Sequence, residues 1–174
     1  MTNIEAIVAV DQNYGLAKNG QIPWKSKTDM NFFKQKTINN VVVMGSKTLL
    51  SLPKGAPLKD RLNIVLTSKH NEEKDKKNNL IYFNEEALLS FLKDPKKYIQ
   101  IDEHKYLNND YTIFIIGGKQ IYDTFCKFCN TIWITKIRAD YNCDLIFSKE
   151  LLDRFLNNNI EMEDEELQII KLTK

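Results

Sequence analysis

A carboxylate set among aromatic side chains is the first residue to explain. On the helix read over Thr28–Lys36, with Thr28 as its N-cap, positions 29, 32, 33 and 36 share one face. Asp29 therefore stands beside Phe32 and Phe33, with Met30 adjacent. Burying a carboxylate against rings is costly without a partner. A negative charge in the first turn of a helix is also favoured electrostatically, so a ligand role and a purely helical role both stay open here. Two strand-to-helix junctions carry a second kind of chemistry: Val43-Met44-Gly45-Ser46-Lys47-Thr48 and Ile115-Ile116-Gly117-Gly118-Lys119-Gln120. A glycine turn lets backbone N–H groups approach a phosphate, and two such turns point to a dinucleotide or another polyphosphate. Steric need for glycine in a tight turn explains either one taken singly. Neither is a standard fingerprint. The opening glycine of G-x-x-x-x-G-K-[ST] falls at Val41, and the second junction is not G-x-G-x-x-G.

These residues need elements to hold them. Ile4–Val10, Val41–Met44, Leu62–Thr67, Leu80–Phe83, Tyr111–Ile116 and Thr131–Ile137 are apolar, β-branched runs that read as strands. Helical periodicity covers Glu85–Leu92 and continues from Gln120 toward Phe128, and Asn159–Leu172 reads as a final antiparallel hairpin. The alternation predicts an α/β fold, a single-domain, mostly parallel sheet with flanking helices and an antiparallel C-terminal edge hairpin. Residues 1–174 read as one domain. Asp11–Lys25 is a long turn-rich loop, the kind that is usually functional. Lys93–Asp110 reads as a polar insertion and the charged run Lys69–Lys77 as a solvated loop.

Composition excludes several classes. The 174 residues carry Lys+Arg 25 against Asp+Glu 23, a net charge of +2, too balanced for a nucleic-acid surface. No apolar run approaches the roughly 20 residues of a spanning helix, and MTNIEAIVAV lacks the basic start of a leader. The expectation is a cytoplasmic monomer acting on a small molecule, with no nucleic-acid or membrane partner. Three cysteines do not form a disulfide framework, and Cys126-x-x-Cys129 at a helix end reads as buried structural thiols. With His70 and His104 remote from that pair, no metal site is expected.

Taken in order, Ile7-Val8-Ala9-Val10, Gly15, Asn19-Gly20, Ile22-Pro23-Trp24 and Asp29 with Phe33 resemble the opening of dihydrofolate reductase. Val42–Thr48 resembles that family's strand and first cofactor turn, and Pro57–Leu66 its substrate-tail segment. Ile116-Gly117-Gly118 with Ile121-Tyr122, then Ile134-Thr135-Lys136-Ile137 through Asp144, complete the series, so the match runs from about Ile4 to Phe147.

The resemblance implies an NADPH-dependent oxidoreductase that reduces 7,8-dihydrofolate to tetrahydrofolate, within one-carbon metabolism. Asp29 would accept from the pterin's 2-amino group and N3, with Thr135 supporting it, and Trp24 and Tyr122 would complete the catalytic group. Met30, Phe33, Leu52 and Trp24 would wall the substrate, Ile7 and Ile116 would offer carbonyls at the pterin edge, and Arg61 would grip the glutamate α-carboxylate. Toward NADPH, Gly45, Ser46, Thr48, Gly117 and Gly118 would meet the phosphates, with Lys119 and Gln120 following in the same segment. Lys47, Thr67 and Ser68 would read the adenosine 2′-phosphate; Ala9, Ala17 and Tyr122 would lie near the nicotinamide. Asn13–Lys25 would be a lid that excludes water. Lys119, Gln120, Leu49 and Ala17 depart from the family's common residues. Two other readings are a related reductase of a riboflavin-pathway pyrimidine and a non-catalytic pterin- or nucleotide-binding module. The first leaves Trp24, Asp29, Phe33 and Arg61 without a joint purpose, and the intact Asp29 counts against the second.

Overall fold

Strands that are buried on both faces need continuous apolar runs, and Val41, Val42, Val43 and Met44 are each 0% exposed in a computed structural model of the chain. The structure describes residues 2–68, 72–75 and 79–174. In chain order the elements are β1 (Asn3–Val10), β2 (Gly15–Ala17), α1 (Lys27–Thr37), β3 (Val41–Gly45), α2 (Ser46–Ser51) and β4 (Leu62–Leu66). There follow β5 (Glu72–Asp75), β6 (Leu80–Phe83), α3 (Glu85–Lys93), β7 (Thr112–Gly117) and α4 (Lys119–Phe125). The chain ends with β8 (Thr131–Ile137), β9 (Leu145–Ile146), β10 (Asn157–Glu163) and β11 (Leu167–Thr173). Two compact units result: Met1–Asn3 with Thr37–Phe114, and Ile4–Lys36 with Ile115–Lys174.

In the first unit β3, β4 and β6 are parallel neighbours, and β5 is antiparallel at the edge. The run 69–77 reads as a solvated loop in the sequence, and here the structure differs. Only 72–75 of it lies within the described residues, and this segment pairs Glu72 with Phe83 through Asp75 with Leu80. An edge strand needs a partner on one side only, so charged residues are compatible with it. α3 starts at Asn84, whose side chain accepts from the Ala87 N–H at 2.8 Å. The insertion 93–110 is more structured than its polarity implies: it forms short 3₁₀ turns and buries Ile99, His104 and Leu107.

In the second unit β1 is parallel to β8, and β11 and then β10 continue antiparallel from β8. The mostly parallel architecture and the C-terminal hairpin stand as expected. The register sets Ala9 beside Thr135. Trp24, Ile137, Leu167 and Ile169 form a core cluster, with Ala9, Phe32 and Tyr141 packed against it. The N-cap of α1 is Ser26 rather than Thr28, because Ser26 Oγ accepts the Asp29 N–H at 3.2 Å. Cys126 and Cys129 are free and buried. Among the described residues no helix is long and apolar enough to cross a membrane, and no group of three or more side chains is arranged to hold a metal.

Asn63, 0% exposed, fixes the turn that leads into β4. Its Oδ1 accepts the Leu58 N–H at 2.9 Å, while Nδ2 donates to the carbonyls of Leu58 at 2.9 Å and Arg61 at 3.0 Å. Asn63→Ala strips these partners and is expected to lower stability by about 1–3 kcal/mol. Urea unfolding of the two proteins checks this; equal midpoints would contradict it.

Candidate active site

Asp29 sits half-buried in the first turn of α1, which starts one residue after its Ser26 cap. Its side-chain partner comes from β8: Thr135, 2% exposed, hydrogen-bonds the carboxylate. Burial raises the carboxyl above its ordinary range, and the Thr135 hydroxyl opposes this without cancelling it. Tyr122 of α4 is 4% exposed and donates its hydroxyl to the Ile7 carbonyl at 2.8 Å. Burial first, then the nearby Cys126 and Asp29, hold this phenol protonated well above the usual range for tyrosine. Its ring meets Phe147 edge-on at 5.5 Å.

The same ring shapes the turn at the end of β7. Gly117 has φ +110°, and a Cβ there would lie 3.0 Å from Tyr122. Only glycine fits this turn. Gly118 follows through a cis peptide and begins α4 without a side-chain cap. Phe33 and Ile116 are half-buried, whereas Met30 is 64% exposed. Trp24, at 6% exposed, is a core residue, its ring 5.6 Å from Tyr141. Lys119 is engaged within its own unit, donating to the Ile146 carbonyl at 2.8 Å and Ser148 Oγ at 2.7 Å and pairing with Asp123 at 3.7 Å. Its ammonium is thereby tied to the β9 segment and to its own helix. Gln120 is exposed, and Ala9 and Ala17 are half-buried.

Asp11 went unnoticed in the sequence. Its Oδ1 accepts the N–H groups of Asn13 at 2.9 Å and Gly15 at 2.7 Å, and its Oδ2 accepts that of Tyr141 at 3.0 Å. Burial pushes its carboxyl upward, but the three amides outweigh it and hold the group below the usual value. An Asp two residues ahead of a bonded N–H is a turn signal legible in sequence; the Tyr141 contact is not. The loop after β1 is tied further by pairing of β2 with β9 and by Asn19 N–H on Asp144 Oδ2 at 2.9 Å. A cleft of about 300 Å³ in this unit is walled in part by Trp24, Ser26, Ile137 and Tyr141, without Asp29, Thr135 or Tyr122.

The first unit carries the remaining residues. Gly45 precedes α2, again with no side-chain cap. Ser46, Lys47 and Ser68 are exposed, while Thr48, Thr67 and Leu52 are half-buried. The Thr67 N–H is held by the Phe83 carbonyl at 2.9 Å. Arg61 is 7% exposed, with Nε on the Lys59 carbonyl at 2.9 Å and Nη1 on Thr37 Oγ1 at 3.0 Å. That engages two of five donors and leaves a fork for a carboxylate. Burial, opposed by Asp60, lowers its pKa. In this unit the uncapped turn at Gly45, with Lys47 outside any ion pair among the described residues, suits a phosphate; in the other unit the uncapped turn at Gly118, after a Gly117 position that only glycine fills, suits one as well.

The family model for dihydrofolate reductase matches residues 3–171. The chain is 32% identical over 157 residues to a dihydrofolate reductase of Drosophila melanogaster, covering 84% of this chain and 80% of that protein. It is 35% identical over 144 residues to a Mycoplasmoides gallisepticum protein named Segregation and condensation protein A; the match covers 82% of this chain but spans only 21% of that protein. Among solved structures, dihydrofolate reductase from Enterococcus faecalis, complexed with NADP(H) and RAB-propyl, has the same fold. Its TM-score is 0.70 at 22% identity, over 98% of this chain and 95% of that one.

A carboxyl whose pKa is raised by folding has a definite effect on stability. The folded chain holds the Asp29 proton more tightly than the unfolded chain, whose value is near 3.8. That contribution is fully present below 3.8 and is lost as pH rises through the folded-state value. Asp29→Asn keeps the shape and removes the ionisation, so its thermal midpoint at pH 7 is expected to exceed that of the native chain, with the gap closing toward acid pH. Melting curves across that range check this, and a lower midpoint at pH 7 would count against a desolvated Asp29.

Proposed function

The chain belongs to the dihydrofolate reductase family, and we propose that its residues carry out that family's reaction, reduction of 7,8-dihydrofolate to 5,6,7,8-tetrahydrofolate with protonation at N5. The observation that carries this reading is the half-buried Asp29 carboxylate bonded to Thr135. An acceptor in that setting suits a ligand presenting two N–H donors side by side, as the pterin's 2-amino group and N3 do. When bound, NADPH supplies the hydride to the pterin's C6.

Asp29 binds and orients the pterin and favours its protonated form, because a negative charge in a site of low polarity stabilises a cation strongly. Thr135 fixes the carboxylate's direction. Tyr122 holds the Ile7 carbonyl and backs the Gly117 turn, so Ile7 and Ile116 present backbone oxygens beside the pterin. Phe33, Met30 and Leu52 flank the substrate, and Trp24 supports the loop from the core side. The exposure of Met30 suits a side chain that an aromatic ligand would cover. Arg61 grips the glutamate α-carboxylate. Gly45, Ser46, Thr48, Gly117 and Gly118 receive the phosphates; Lys47, Thr67 and Ser68 read the 2′-phosphate. Residues 13–25 act as the lid, fastened at its root by Asp11, and exclude water from the nicotinamide beside Ala9 and Ala17. The family match runs through both compact units, which supports one dihydrofolate reductase-like domain over 1–174. The balanced charge supports the reading of a protein without a nucleic-acid partner.

Spectrophotometric NADPH oxidation with dihydrofolate, with a riboflavin-pathway pyrimidine and with neither tests the reaction; turnover with the pyrimidine alone would overturn it. Asp29→Asn should lose at least about a hundredfold in rate at neutral pH and recover in part as acid protonates the substrate directly. Steady-state pH profiles check this, and near-native rates at pH 7 in a folded variant would remove Asp29 from the chemistry. Lys47→Ala should lower affinity for NADPH but not for NADH, by roughly 10- to 150-fold for a lost charge-assisted contact of about 1.5–3 kcal/mol. Comparing the two cofactors' Michaelis constants decides it; an unchanged ratio means the 2′-phosphate is read elsewhere.

A further inference from the structure

Asp60 and Arg61 are consecutive residues at a sharp reversal of the chain. Asp60 has φ +57° and its carbonyl accepts the Asn39 N–H at 2.8 Å. Because Arg61 Nε donates back to the Lys59 carbonyl at 2.9 Å, the guanidinium folds over the Asp60 peptide instead of extending away from it. The left-handed backbone suits glycine or asparagine at least as well as aspartate, so conformation does not demand a charge here. Nor is the charge neutralised, since no ion pair engages the Asp60 carboxylate among the described residues. The insertion sets Tyr106 near it, with the phenol against His104 Nδ1 at 3.2 Å, and burial together with the Asp60 charge keeps that phenol protonated. Asp60 therefore has a neutral neighbour on one side and the substrate-reading arginine on the other.

We propose that Asp60 is a specificity-determining residue: its carboxylate sets a negative field beside Arg61 that loosens the grip on the substrate's anionic tail and disfavours tails carrying additional carboxylates. This rests on the reading of Arg61 as the contact for the glutamate α-carboxylate. An exposed charge on the adjoining residue acts through solvent, so its effect is moderate and sensitive to salt.

The test compares Asp60→Asn and Asp60→Gly with the native chain on three substrates: dihydrofolate, dihydrofolate extended by γ-linked glutamates, and a dihydropterin without the benzoylglutamate tail. The expected result is a KM for dihydrofolate lower by roughly two- to fivefold, with kcat unchanged. The gain is larger for the extended tail, absent for the tail-less pterin, and shrinks in high salt. An unchanged KM for dihydrofolate, or an equal shift with the tail-less pterin, overturns the proposal. If either variant fails to fold, the other decides. Arg61→Lys separates the premise from the inference. A raised KM for dihydrofolate in Arg61→Lys with no shift in the Asp60 variants removes Asp60 alone. An unmoved KM in Arg61→Lys removes the tail reading and this proposal with it.

Discussion

Burial raises the carboxyl of Asp29, the Thr135 hydroxyl answers it, and the surrounding unit is organised around keeping those two groups together. Thr135 is placed by the parallel register of β8 on β1, and β8 is held on its other side by β11. Asp29 is placed by the Ser26 cap, and the residues just before that cap are anchored by Trp24 in the core cluster. A shift of one residue in the β1–β8 register would turn Thr135 to the opposite face. The hydrophobic core of this unit thus does electrostatic work, since it fixes how much water a carboxylate keeps and which hydroxyl it meets.

Tyr122 links this arrangement to the glycine turn. One buried ring closes off the space above Gly117, donates to the Ile7 carbonyl and packs on Phe147. The backbone carbonyl on β1 and the turn after β7 are consequently set by a single side chain, and a change in ring position would disturb both.

How much of this was readable beforehand depends on what kind of information each feature needs. The parallel strands were legible because double-sided burial writes itself as runs such as Val41–Met44, and Asp29 was legible because a carboxylate beside Phe32 and Phe33 is chemically anomalous. Family resemblance supplied the roles of Arg61 and the glycines, which periodicity could not. The misreadings were tertiary or competitive. Ser26 and Thr28 are both good caps, and only the path of the chain selects Ser26. Glu72–Asp75 looks like loop because an edge strand is stabilised by β6, not by its own residues. The partners of Lys119, Ile146 and Ser148, lie far along the chain, so its hydrogen bonds are not legible in the local sequence. Asp11 was half-visible, through its turn to Asn13 and Gly15 but not through Tyr141.

The last strand pair shows what such an edge means for molecules at high concentration. Among the described residues β10 pairs only with β11, and all seven of its residues are exposed, among them Ile160 and Met162. A bare edge of that length invites a second copy to add itself as another strand, the first step of fibrous aggregation. Here the ladder breaks at a bulge between Ile160 and Met162, with the exposed Glu161 at the break, while Glu163 is paired with Arg138. An approaching copy would meet a bent backbone with a charged residue at the bend. The ending of the sheet thereby protects the colloidal stability of the protein while leaving its chemistry untouched.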